Sequence, residues 1–187
     1  VQLSDVLAVD SPHTFHPESF TYTELAENIS KAAFAFAQIG VEPDDVVALF
    51  AENSPRWLIA DQGLMRIGAA DSVRGATAPP SELRYILEDS NAVGLIVQNS
   101  DVWEKLSLSD NQINNLKFVL QLEGKACEGV FEWESFLKKG LNTENVSKLE
   151  KINEKQQTRV ATILYTSGTT GKPKGVPLTH TNLLHQI

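Results

Sequence analysis

The sequence predicts an α/β protein, with layers of parallel sheet and helices on both faces. Short apolar, β-branched runs at 46–50, 93–97 and 117–122 alternate with stretches of helical periodicity. This alternation is typical of parallel strands joined by crossover helices. The chain has 187 residues, of which 42% are hydrophobic and 21% charged, enough for one sizeable core in a folded globular domain.

The elements follow one another along the chain with recognisable boundaries. Thr21 and Glu24 predict a capping box, and the apolar periodicity that follows predicts a helix ending at Gly40. The continuous apolar run at 46–50 is typical of a strand covered on both faces. The later elements predicted are helix 56–67, strand 69–73, helix 81–90, strand 93–97, strand 117–122, helices 133–139 and 146–157, and strand 160–165. The polar stretch 123–157 is interpreted as a variable connection within the same domain.

Charge and composition exclude several classes of function. A net charge of -8 and a pI near 5.0 argue against general binding to nucleic acid or anionic lipid. Cys127 is the only cysteine, so neither a disulfide framework nor a thiolate metal cluster is predicted. His13 and His16 have no third ligand nearby, and no metal site is expected. No run approaches the about 20 apolar residues of a membrane span, and the start lacks a secretory pattern.

Residues 165–176, which read YTSGTTGKPKGV, carry the most chemical information in the chain. They follow a predicted strand, so we expect a loop at the carboxyl end of a sheet strand, where ligands of parallel sheets bind. Successive backbone N–H groups and hydroxyls suit an anion. The glycines able to adopt positive φ and approach a ligand are Gly168, Gly171 and Gly175, and the hydroxyl donors are Ser167, Thr169 and Thr170.

Two lysines bracket Pro173 in this loop, and one of them can lean over a bound anion while the other faces solvent. We predict that Lys174 contacts the anion and Lys172 does not. A Walker A loop is disfavoured because it requires Ser or Thr after Gly-Lys, where this chain has Pro173. From composition alone, the alternative is a flexible surface loop.

The loop resembles the signature loop of the adenylate-forming superfamily, which includes acyl-CoA synthetases, luciferases and the adenylation domains of peptide synthetases. The segments 20–25, 40–49 and 52–57 are also similar to that family, and the resemblance covers roughly 20–98 and 158–184. The segments 51–63 and 71–75 resemble the branch acting on long fatty acids, particularly the cyanobacterial and plastid acyl carrier protein synthetases. For Arg74, within 71–75, a surface or domain-packing role is the alternative.

The resemblance implies a reaction and a set of binding residues. In this family the loop holds the β and γ phosphates of ATP while a carboxylate attacks the α phosphorus, and the acyl group then passes to a thiol. ATP, Mg²⁺ and a long-chain fatty acid are the implied reactants, with acyl carrier protein as the preferred acceptor and coenzyme A as the alternative. Lys174 is the single catalytic candidate, and the implied cofactor-binding residues are Thr166, Ser167, Gly168, Thr169, Thr170, Gly171 and Lys174.

We expect residues 1–187 to be an incomplete N-terminal adenylation domain that stops just after the phosphate-binding loop, without the C-terminal domain. The family's Mg²⁺-binding Glu, ribose-binding Asp and C-terminal Lys would lie beyond Ile187, so this piece alone is expected to be inactive. A non-catalytic nucleotide-binding module or pseudoenzyme is the alternative of another class. The expected location is cytoplasmic or plastid rather than secreted, with peripheral membrane association left open. His180 is interpreted as a structural neighbour of a helix capped by Thr179.

Overall fold

A mostly parallel sheet forms the centre of the chain in a computed structural model, which describes residues 4–13, 17–140, 157–166 and 172–185. The strands are numbered in chain order, and the seven of this sheet lie side by side in the order β7 (Phe131–Glu132), β6 (Phe118–Gln121), β5 (Gly94–Val97), β3 (Val46–Phe50), β4 (Ala70–Arg74), β8 (Val160–Thr166) and β9 (Lys174–Thr179). A separate antiparallel pair consists of β1 (Leu7–Ser11) and β2 (Glu18–Thr21). The predicted fold class is confirmed.

The helices connect these strands and cover both faces of the sheet. Within the described ranges they are α1 (Tyr22–Gln38), α2 (Pro55–Arg66), α3 (Pro80–Asp89), α4 (Ser100–Leu106), α5 (Asp110–Asn114), α6 (Trp133–Lys139) and α7 (His180–Leu184). None of the helices in the described ranges has the length and apolar character needed to cross a membrane.

Two apolar cores lie on opposite faces of the sheet. Successive residues of β3 alternate between them: Leu49 belongs to the core under α1, α2 and α6, and Phe50 to the core under α3 and α4. Both side chains are fully buried, which explains why this strand has a continuous apolar run instead of an alternating one. Because β4 and β5 flank β3 on opposite sides, the connections that leave β3 and β5 run in opposite directions, and the switch point of the sheet lies between the carboxyl ends of these two strands.

Local signals explain where several helices begin. The predicted capping box is confirmed: the Glu24 N–H donates to the Thr21 hydroxyl over 3.3 Å, and the Thr21 N–H donates to the Glu24 carboxylate over 2.9 Å. Ser54 caps α2 by accepting from the Trp57 N–H. Gly40, at a φ of 90°, lies just past the end of α1, as the sequence predicts.

Several elements were not predicted from the sequence. The helices α4 and α5 have seven and five residues, too few to show a helical period. The hairpin β1–β2 and the two-residue strand β7 were also missed. β9 runs antiparallel to β8 and begins at Lys174, so the interpretation of all twelve residues 165–176 as loop was wrong at both ends. The predicted helix 146–157 lies outside the described residues apart from its last position.

Two charged groups are buried in this fold with opposite surroundings. Arg56, at the start of α2, is 8% exposed and has three acceptor groups around its guanidinium. Asp71, in β4, is fully buried, and neither of its side-chain oxygens has a hydrogen bond of good geometry among the described residues. Its acidic neighbour Asp61, on α2, is 5% exposed and accepts a hydrogen bond from Gln62. Burial first, and then the Asp61 charge, raise the pKa of Asp71 well above its usual value.

Candidate functional site

The hairpin of β8 and β9 carries the predicted phosphate-binding loop. β8 lies parallel to β4, so its carboxyl end is at the same edge of the sheet as those of β3 and β4. Thr166 and Lys174 are the last paired residues of the hairpin and stand opposite each other, both exposed. The other predicted cofactor-binding residues, Ser167, Gly168, Thr169, Thr170 and Gly171, lie outside the described residues. The chain therefore leaves and re-enters the hairpin at the edge of the sheet where β3 and β4 have their carboxyl ends.

Gly175 has a different role from the one predicted for it. It lies within β9, and its φ is outside the left-handed region that the described glycines with positive φ adopt. A Cβ at this position would lie 3.0 Å from Tyr165 Cζ and 3.2 Å from the Tyr165 hydroxyl, on the paired strand. Glycine lets the Tyr165 ring pack directly against the backbone, and a larger residue here would require this ring or Ile163 to shift.

Near the carboxyl end of β8, a buried tyrosine connects this strand to α3. The Tyr165 side chain is 6% exposed, and its hydroxyl donates to Asp89 Oδ2 over 2.7 Å. Tyr85, one turn before Asp89 on α3, donates its own hydroxyl to Asp89 Oδ1 over 2.9 Å. One carboxylate therefore accepts from two phenols on different elements.

Both phenols in this cluster remain protonated at neutral pH. Burial first, and then the hydrogen bond to Asp89, raise the pKa of Tyr165. The hydrogen bond to Asp89 is the leading cause of the raised pKa of Tyr85. Both hydroxyls therefore act as donors to the carboxylate.

The two lysines that flank Pro173 point to different surroundings. The Lys172 ammonium lies 5.4 Å from the centroid of the Tyr85 ring, a cation–π distance. Lys174 is exposed on β9, beside the end of β8. This arrangement is compatible with the prediction that Lys174 is the lysine that meets a bound anion, and that assignment stays a prediction.

A crevice of about 290 Å³ opens at the carboxyl ends of β3 and β4, the strand pair next to the β3–β5 switch point. It is lined by Ala51, Glu52, Asn53, Trp57, Val73, Arg74 and Gly75. The Arg74 guanidinium forms an ion pair with Glu82 of α3 over 2.7 Å. This contact with α3 is compatible with a packing role for Arg74, which also lines the crevice.

His180 is placed by the hairpin and helix around it. Thr179 caps α7 by accepting from the Asn182 N–H over 3.2 Å, as predicted, and the His180 N–H donates to the Arg159 carbonyl. Burial lowers the pKa of His180. The described residues contain no group of three or more His, Cys, Asp or Glu side chains arranged to hold a metal ion.

The sequence predicted the phosphate-binding loop but not the residues of α3 that contact the hairpin carrying it. Tyr85 and Asp89 were assigned only to a helix, although their spacing of four residues places them on one helical face. Nothing in the sequence alone shows that this face meets Tyr165, because the contact joins residues 76 positions apart. The sequence did offer one signal: Tyr165 ends a predicted strand, and a buried tyrosine hydroxyl usually has a hydrogen-bond partner.

Comparison with known proteins identifies the family. The AMP-binding enzyme family matches residues 3–187. The probable acyl-activating enzyme 16 of Arabidopsis thaliana, a chloroplastic protein, is 38% identical over 98% of this chain, and a chloroplastic long-chain fatty acid–acyl carrier protein ligase of the same plant is 36% identical over 98%. The chain spans 27% of the length of each. The crystal structure of a long-chain fatty acid–CoA ligase from Archaeoglobus fulgidus superposes with a TM-score of 0.77 at 27% identity, over 96% of this chain and 34% of that one. The chain therefore belongs to the AMP-binding enzyme family.

Proposed function

We propose that the complete protein containing this chain activates a long-chain fatty acid with ATP and transfers the acyl group to the thiol of acyl carrier protein. The observation that carries this proposal is the position of the motif at 165–176, which starts at the carboxyl end of β8, on the same edge of the sheet as the carboxyl ends of β3 and β4. Family membership and the similarity to an acyl carrier protein ligase support the same conclusion.

The proposed chemistry has two steps. In the first, a carboxylate oxygen of the fatty acid attacks the α phosphorus of ATP, the bond to the β phosphate breaks, and pyrophosphate leaves. In the second, the acceptor sulfur attacks the acyl carbonyl, AMP leaves, and the thiol proton is lost. Charge accumulates on the leaving pyrophosphate in the first step, so preorganised N–H and O–H donors and a cation lower its barrier.

The residues of this chain fit the phosphate part of ATP. The segment 165–176 offers hydroxyls, backbone donors and two ammonium groups, and it contains no carboxylate. We assign the contacts with the β and γ phosphates to Thr166, Ser167, Gly168, Thr169, Thr170, Gly171 and Lys174. Mg²⁺ would share these phosphates. Because hard cations favour carboxylate ligands, we expect a protein carboxylate for Mg²⁺ from outside this segment.

The relatives support a choice of acceptor and a location for the proposed reaction. The chloroplastic acyl carrier protein ligase favours acyl carrier protein and a plastid location, whereas the Archaeoglobus fulgidus enzyme favours coenzyme A. Competition between equal concentrations of the two thiols in the complete protein distinguishes them. We expect acyl carrier protein to receive most of the acyl group. If most of the product is acyl-CoA instead, the proposed acceptor is wrong and coenzyme A takes its place.

The activity itself is tested by exchange of labelled pyrophosphate into ATP. We expect the complete protein to exchange only when a long-chain fatty acid is present, because the exchange requires reversible formation of the acyl-adenylate. ATP binding without such exchange would overturn the proposed catalysis and support the non-catalytic nucleotide-binding module. Exchange driven by acetate but not by long-chain acids would overturn the substrate class.

A further inference from the structure

The carboxylate of Asp89 joins two elements of the chain, α3 and β8. Asp89 is the last residue of α3, and its two oxygens accept from Tyr85 of the same helix and from Tyr165 of β8. Hydrogen bonds to an ionised acceptor are roughly twice as strong as those between neutral groups. With both oxygens engaged, the carboxylate fixes the orientation of each phenol.

This cluster contacts the chain on both sides of 167–171. Tyr165 comes two residues before that segment, and its ring lies against Gly175 on the paired strand. Lys172 comes directly after the segment, and its ammonium lies over the Tyr85 ring. The same face of α3 therefore receives both flanks of the predicted phosphate-binding loop.

We propose that Asp89 is a positioning residue for ATP binding, because through Tyr165 and Tyr85 it holds both flanks of the loop against α3. The inference rests on the proposed function and deepens it, since it names the group outside the loop that sets the loop's placement. Asp89 touches no phosphate in this scheme. Its effect reaches the nucleotide through the backbone that Tyr165 and Lys172 anchor.

The exposure of the Asp89 carboxylate separates this role from a general structural one. Asp89 is exposed and Tyr85 half-buried, whereas Tyr165 is buried. Polar contacts at the surface contribute little to the free energy of unfolding, commonly about 1 kcal/mol or less. A residue that matters only for folding would change stability and all ligand affinities together. A residue that positions the loop changes the affinity for the β and γ phosphates with little change in stability.

The test compares ATP and AMP binding in the complete protein and in its Asp89→Asn variant, by calorimetry with Mg²⁺ present. We expect ATP to bind about tenfold more weakly, equivalent to about 1.4 kcal/mol. The affinity for AMP, which lacks the two outer phosphates, should change less than about twofold. Tyr165→Phe should reproduce the ATP effect, and adding it to Asp89→Asn should cause little further loss, because Asn loses the charge and one acceptor oxygen and both changes act on the same Asp89–Tyr165 contact.

Glu88→Gln is the matched control, since it removes one carboxylate from the neighbouring position of α3. Glu88 contacts Gln112 rather than the hairpin. We therefore expect the Glu88→Gln variant to bind ATP with the affinity of the wild type. A second readout is hydrogen exchange of the amides in 166–176, which we expect to quicken in Asp89→Asn and in Gly175→Ala, whose added Cβ would press on the Tyr165 ring.

The outcomes are distinguishable. Equal ATP affinity in Asp89→Asn and wild type would overturn the positioning role, and so would a parallel loss of ATP and AMP binding with a lowered melting temperature. If the wild type binds ATP but shows no exchange of pyrophosphate, the proposed catalysis fails while the affinity comparison still decides the role of Asp89. A wild type that does not bind ATP would overturn both.

Discussion

Arg56 and Asp89 both tie remote parts of the chain together, but in different surroundings. The Arg56 guanidinium is 8% exposed and joins Glu18 of β2, Glu134 of α6 and the Leu122 carbonyl, with distances of 2.7–3.0 Å. Asp89 is exposed and joins two tyrosine hydroxyls at the loop-bearing hairpin. In the first cluster the guanidinium is buried, although the Glu134 side chain is 69% exposed, and the second cluster lies beside the proposed phosphate-binding loop.

The difference shows how burial decides what a polar cluster does. A buried charge that loses its partners costs several kcal/mol, because the remaining groups cannot regain water. An exposed cluster has water as a ready substitute, so it adds little to stability and can still fix a local geometry. We therefore assign stability to the Arg56 cluster and loop placement to the Asp89 cluster.

The largest change in stability is expected when Arg56 is replaced by Met. The change leaves Glu18 and the Leu122 carbonyl without their donor, and we expect the free energy of unfolding to fall by about 3–5 kcal/mol. Urea denaturation of the complete protein measures it. ATP affinity under conditions where the variant is folded should match the wild type. A loss below about 1 kcal/mol would mean that the cluster does not hold the fold together.

The Asp71 carboxyl extends the comparison to a buried ionisable group that forms no ion pair with the described residues. Its raised pKa means that the folded protein holds a proton that the unfolded chain releases above the usual aspartate value of 3.8. The stability that this proton contributes is present below that value and is lost as the pH rises through the raised pKa of the folded state. Asp61, whose pKa burial also raises, acts in the same direction.

We therefore expect Asp71→Asn to stabilise the protein at pH 7 by about 1–3 kcal/mol, since the amide cannot ionise. Melting temperatures measured from pH 4 to pH 8 should decline less steeply in the variant than in the wild type. Asp101→Asn, which replaces an exposed carboxylate on α4, is the control and should leave the slope unchanged. A destabilised Asp71→Asn variant with an unchanged pH slope would contradict the buried-acid interpretation.

The smallest effect is expected for an exposed ion pair. The Lys117 ammonium lies 2.8 Å from Asp45 Oδ2 and 2.9 Å from the Gly40 carbonyl, and the Lys117 side chain is 36% exposed. Lys117→Ala should cost about 0–1 kcal/mol, and less in high salt. Melting curves at low and high salt measure the difference. A loss comparable to that of Arg56→Met would show that burial is not the deciding factor.

Much of the parallel core was predictable because its signals are local. The strand Val46–Phe50 shows a continuous apolar run, and α1 and α2 have capping residues at their starts. β9 was missed because it contains Pro177, which is tolerated at a sheet edge but argues against a strand in the sequence. The loop was found by its motif, whereas the contact between Asp89 and Tyr165 depends on tertiary packing that no periodicity reveals.

The central assignment is that the loop of this chain binds the leaving phosphates of ATP. The most direct measurement is fatty-acid-dependent pyrophosphate exchange by the complete protein carrying both Thr170→Ala and Lys174→Ala, with Lys138→Ala, which removes an exposed lysine on α6, as the control. We predict that exchange falls by about 100-fold or more in the double variant, since loss of one such donor costs about 10²–10³-fold, and that the control exchanges like the wild type. Wild-type exchange and ATP affinity in a folded double variant would contradict the assignment.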